Sequence, residues 1–132
     1  MAYPPLARLT LYTRKMGEMA AFYGHHFGYT AWGAPDDRIV ELRPPGAGVV
    51  LNLHPMAKGQ KPGQVLVKLG FEVDDVEAFV AHAAKNGLIF GKPFKGDGYL
   101  FANARDPAGN SISVTSRGAA DPDLVPWRLP DA

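Results

Sequence analysis

The order of strand-like and helix-like segments along this chain repeats once, and a repeat constrains the fold more than any single element does. In ARLTLYT, residues 7 to 13, Leu9 and Leu11 alternate with Arg8, Thr10 and Tyr12, the period of a strand with one buried face. In MGEMAAFYGHHFG, Met16, Met19, Ala20, Tyr23 and Phe27 recur at helical spacing, and Gly28 stands where a C-terminal cap belongs. YTAWG, DRIVELR and GVVLNLH then predict three strands, separated by the turn formers of APDD and PPGAG. The second half runs in the same order. VLVKLGFEV predicts a strand, and DDVEAFVAHAAKNG a helix with Asp74 as N-cap, Glu77 three residues on, and Lys85, Asn86 and Gly87 at its close. LIFGKP, GYLFANA and NSISVTS predict three more strands.

The expected fold class is therefore α+β, two tandem βαβββ units over about 6–56 and 64–116 in a single domain of 1–132. The remainder, 117–132, carries three prolines and Trp127 and is expected to form an extended arm that docks on the body or a partner, or stays disordered. RDPAGNSISV, residues 105 to 114, enters as a turn and leaves as a strand, with Ile112 and Val114 on one face and Ser111 and Ser113 on the other. The serines look onto solvent or onto a cleft.

Composition narrows the function. A chain of 132 residues that is 46% hydrophobic buries a real core, and 14 Lys+Arg against 13 Asp+Glu leave no basic stripe for a nucleic acid. Without cysteine there is no disulfide, thiolate zinc site or cysteine nucleophile. The opening MAYPPLARLTLY lacks the charged and apolar regions of a signal peptide, and no apolar run is long enough for a membrane span, so a cytoplasmic protein is expected. GxSxG, HExxH, a P-loop and GxGxxG are all absent.

With AAFYGHHFGY after the first strand, FEVDDVEAF opening the second unit and RDPAGNSISV near the end, residues 6 to about 116 resemble the vicinal-oxygen-chelate superfamily, which holds glyoxalase I, extradiol dioxygenases, fosfomycin-resistance enzymes and bleomycin-resistance proteins. The resemblance implies sheets curled into a U-shaped cleft, and a homodimer. In metal-using members, His, Gln or Glu ligands stand on the first and fourth strands of each unit. The matching positions here are Arg8, Asn52, Lys68 and Ser113, and the two spacings agree to within one residue. Two are cations, which repel a divalent ion, and two are neutral groups with little affinity for one. No metal and no cofactor are expected.

The cleft-facing set is expected to comprise Arg8, Thr10, Tyr12, Asn52, His54, Lys68 and Ser113, a floor with two cations and no acid, suited to an anionic or polar small ligand. Glu41 or Glu72 could instead neutralise the cations internally. His54, in phase with Asn52, is the histidine placed to meet a ligand; His25 and His26 point apart on a helix, and His82 sits mid-helix among alanines. Phe101, with Tyr99 in FKGDGYLF, is a candidate for stacking on a flat ligand. Three readings follow: a metal-independent small-molecule binding protein, a lyase, isomerase or dioxygenase, or a structural or regulatory subunit whose cleft is vestigial. The second requires metal on His54 with Glu41 or Glu72, or acid–base work by Lys68, Tyr12 or His54.

Overall fold

The computed structural model describes residues 7–35, 38–62, 64, 67–96, 98–117 and 126. The first unit runs β1 (Arg8–Thr13), α1 (Met16–Phe27), β2 (Thr30–Trp32), β3 (Val40–Arg43) and β4 (Val50–Pro55). The second runs β5 (Lys68–Glu72), α2 (Val76–Lys85), β6 (Phe94–Lys95), β7 (Leu100–Arg105) and β8 (Ser111–Thr115). The fold is α+β. Among the described residues each unit forms one four-stranded mixed sheet, ordered β1-β4-β3-β2 and β5-β8-β7-β6. In each, a helix carries the chain from the first strand to the far edge, and an antiparallel meander returns to meet that strand in parallel.

Side-chain alternation then divides each sheet into a core face and an open face. Leu42, Leu51 and Leu53 from the first sheet, and Leu69, Ala102, Ile112 and Val114 from the second, are buried together with Met19, Phe22 and Tyr23 of α1 and Val76 and Ala83 of α2. Aromatic rings of α1 cross to the second unit. Phe27 stacks on Phe71 at 3.9 Å between centroids and lies 5.8 Å from Phe79, so α1 packs on both β5 and α2.

The turn at 106–110 adds a polar tie between the units. Asp106, 5% exposed, accepts from the backbone N–H groups of Ala108 and Asn110, from the Asn110 amide, and from the buried Tyr23 hydroxyl at 2.8 Å. Gly109 closes the turn at φ 87°, where a side chain would be strained. Burial and the neighbouring Asp106 carboxylate both push the Tyr23 hydroxyl far above its ordinary pKa, so it stays a donor.

Two expectations need correction. Asp75, not Asp74, caps α2: its Oδ1 accepts from Ala78 N at 3.0 Å. LIFGKP forms no strand. Leu88 N closes the end of α2 on Ala83 O, Gly91 N alone reaches Asn103 O, and Pro93 has no N–H to extend a ladder, so pairing begins only at Phe94. The expected arm and Trp127 lie outside the described residues, apart from Arg117 and Pro126.

Candidate functional site

Residues paired across neighbouring strands share a face, so the register identifies what stands on each open face. On the first sheet Arg8 pairs with Val50, Thr10 with Asn52, Asn52 with Glu41, and Glu41 with Trp32. The Arg8 guanidinium reaches across β4 to the Glu41 carboxylate, with Asn52 Oδ1 at 3.4 Å on the way. Arg43 Nε donates to the other Glu41 oxygen at 2.6 Å and lies over the Trp32 ring. Hydrogen bonds from Arg8 and then Arg43 hold the Glu41 carboxyl below its ordinary pKa. Together with Gly33, Ala34 and Ile39 these side chains line a hollow of about 480 Å³.

The second sheet repeats the plan with different side chains. Lys68 pairs with Ser111 and Ser111 with Arg105; Gly70 pairs with Ser113 and Ser113 with Asn103. Lys68 Nζ reaches across β8 and donates to Asn103 Oδ1 at 3.0 Å. Asn103 thus stands where the first unit has Glu41, and Arg105 where it has Arg43. An amide replaces the acid. Lys68, Asn103, Ala104, Arg105 and Ser111 line a separate hollow of about 340 Å³, with no acid among these lining residues.

The expected floor of two cations and no acid therefore divides. Arg8 and Lys68 line different hollows, and Glu41 compensates Arg8, the internal neutralisation that the sequence left open. Ser113 lies on the open face but is only 7% exposed, with its Oγ beside the space that Gly70 leaves. Ser111 is half-buried in the second hollow. Phe101 is not among the residues that line that hollow, but Lys68 Nζ lies 6.0 Å from its ring, and it packs face to face with the exposed Phe94 at 5.3 Å. Tyr12 and His54 pair at the opposite end of β1 and β4, with ring centroids 5.2 Å apart. His54 Nδ1 is 2.8 Å from Pro55 O, a carbonyl that can only accept, so the contact is a hydrogen bond with Nδ1 as donor. His26 stacks edge-on against Phe22, and burial followed by the His25 charge lowers its pKa.

Asn103 and Arg105 escaped the sequence reading. The available signal was the repeated triplet, ELR at 41–43 and NAR at 103–105, whose significance depends on aligning β3 with β7.

A chelated divalent ion does not fit this donor set. The four positions that would hold it carry two cations bonded to neighbouring side chains, one amide and one covered hydroxyl. Both Glu41 oxygens are taken by arginines, and among the described residues no three of His, Cys, Asp and Glu gather as a metal site.

The family model of the Glyoxalase/Bleomycin resistance protein/Dioxygenase superfamily matches residues 6–114. No curated protein matches the chain. Among solved structures, TnmS3, an antibiotic binding protein from Streptomyces sp. CB03234, superposes with a TM-score of 0.72 at 23% identity over 86% of this chain and 96% of that one. A superfamily member from Sphaerobacter thermophilus gives 0.68 at 21% over 87% and 97%. Virulence protein STM3117 from Salmonella typhimurium gives 0.67 at 20% over 87% and 98%. At these identities the likeness is one of fold.

Proposed function

Because this chain belongs to the Glyoxalase/Bleomycin resistance protein/Dioxygenase superfamily, we propose that it is a metal-independent binding protein for a polar or anionic small molecule. The observation that carries this reading is the commitment of the two cationic would-be ligand positions to side chains of the third strands, Arg8 to Glu41 and Lys68 to Asn103. Their bonds leave two polar hollows of about 480 and 340 Å³ open on the sheets, within the size range of small-ligand sites. The antibiotic binding neighbour is consistent with this use of the fold. Arg8, Tyr12, Asn52, His54, Lys68, Phe101 and Ser113 are the proposed ligand-facing set, extended by Asn103, Arg105 and Ser111.

A homodimer belongs to the same reading, since Trp32, Phe94 and Tyr12 are about half exposed on the open faces and a second copy would wall the hollows. So does a cytoplasmic location; among the described residues no helix is long and apolar enough to cross a membrane.

The test is thermal melting of EDTA-treated protein against a panel of neutral, cationic and anionic small molecules. A concentration-dependent rise with one charge class supports the reading, and a rise that needs added metal overturns it. An acid–base enzyme is the second reading, favoured by the His54 ring beside that of Tyr12. Ligand turnover that is lost in His54→Gln would establish it.

A further inference from the structure

Each unit carries a pair of cations at matching places, Arg8 and Arg43 in the first and Lys68 and Arg105 in the second, and only the first supplies an acid between them. Glu41 accepts from both Arg8 and Arg43, whereas Asn103, at the matching place, gives Lys68 a neutral oxygen and nothing for Arg105. Arg105 instead donates one N–H to Gly109 O at 2.8 Å. An ammonium has three donors and a guanidinium five, so both cations keep N–H groups for a further partner. The Ser111 hydroxyl, paired in register with each of them, lies in the row between.

An aromatic shelf continues the same face. Phe101 stands two residues before Asn103 on the same side of β7, and Phe94 stacks on it with rings 23° from parallel. Lys68 Nζ stands 6.0 Å from the Phe101 ring, so a flat apolar group and an anion are both catered for within one small molecule's length.

We propose that this hollow binds an aryl carboxylate. Its ring rests on Phe94 and Phe101, and its carboxylate takes N–H groups from Lys68 and Arg105 and the Ser111 hydroxyl. The assignment rests on the metal-independent binding reading above and deepens it.

The experiment is a titration at low salt, followed by amide chemical shifts, with 3-phenylpropionate, 3-phenylpropionamide and inorganic phosphate. The carboxylate should bind roughly tenfold more tightly than the amide, since a charge-assisted bond is worth about that much, and shifts should centre on Phe101, Asn103 and Ser111. Asn103→Asp supplies the internal acid of the first unit and should bring carboxylate and amide to parity. Arg105→Gln, an exposed position, removes one of the two cations and should reduce the preference for the carboxylate if Asn103→Asp fails to fold. Equal binding of acid and amide to the unaltered protein overturns the assignment, as does phosphate binding as well as the aryl acid, which would leave the shelf unused. If either happens while other panel molecules raise the melting temperature in EDTA, metal-free binding stands and only this site falls. If nothing in the panel binds, both fall.

Discussion

Glu41 and Asn103 hold the same place in the two units: each stands on the third strand and accepts from the cation that the first strand sends across the fourth. A repeat built this closely allows one unit to be compared with the other, because strand order and the places of the cations are shared while the acceptor's charge differs. The predictions below use it.

Glu41→Gln should turn the first hollow into a copy of the second in charge. Arg8 and Arg43 would lose their shared carboxylate, and 3-phenylpropionate should acquire a second set of shifting amides around Arg8 and Asn52. If Glu41→Gln leaves the pattern of shifting residues unaltered, uncompensated cations are not what attracts the anion.

The Glu41 carboxyl should titrate below the ordinary glutamate range, because Arg8 and Arg43 bond to its charged form. A depressed pKa means the pairing contributes above the ordinary range and is lost only as pH falls through the lower, folded-state value. The effect on stability is small, since Arg8 and Arg43 are exposed and water screens the pairs. Carboxyl-detected titration checks it: replacing Arg8 by Gln should move the midpoint up, and an unmoved midpoint would mean that the Arg8 bond does not persist in solution.

Asp106→Ala should destabilise the protein by about 3 kcal/mol, because it strands the buried Tyr23 hydroxyl and unties two backbone N–H groups. Tyr23→Phe removes one bond and keeps the ring, so about 1 to 2 kcal/mol is expected. Urea unfolding measures both. Equal losses would show that the Tyr23 contact, rather than the turn, accounts for the role of Asp106.

Anion binding should weaken as salt rises, since Lys68 and Arg105 are exposed and their field is screened within about 8 to 10 Å. Affinity for 3-phenylpropionate measured at low and at high ionic strength tests this, and an affinity indifferent to salt would assign binding to the aromatic shelf alone.

What the sequence revealed and what it concealed follow from the range of the interactions. The 106–110 turn was legible because its chemistry is local: Asp106, Gly109 and Asn110 bond within five residues. Gly28 likewise announces the end of α1 and adopts the left-handed conformation, φ 72°. LIFGKP misled because Leu88 and Phe90 alternate with Ile89 as a strand would, yet they are buried on a loop that pairs through a single backbone bond. Which of Glu41 and Glu72 would neutralise a cation stayed open for another reason. Local spacing favours Glu41 with Arg43, which does form, but only the strand order brings Arg8 to the same carboxylate. Asn103 carried no signal as an isolated residue; it acquires meaning from its alignment with Glu41.

The most direct test of metal-independent binding is the metal content of protein purified without chelator, read together with its melting curve with and without Mn²⁺, Ni²⁺, Zn²⁺ or Fe²⁺. With cations at two of the four ligand positions, metal should be far below one per chain and no ion should raise the melting temperature. Near-stoichiometric metal with a clear rise would contradict the account and make this chain a metalloenzyme.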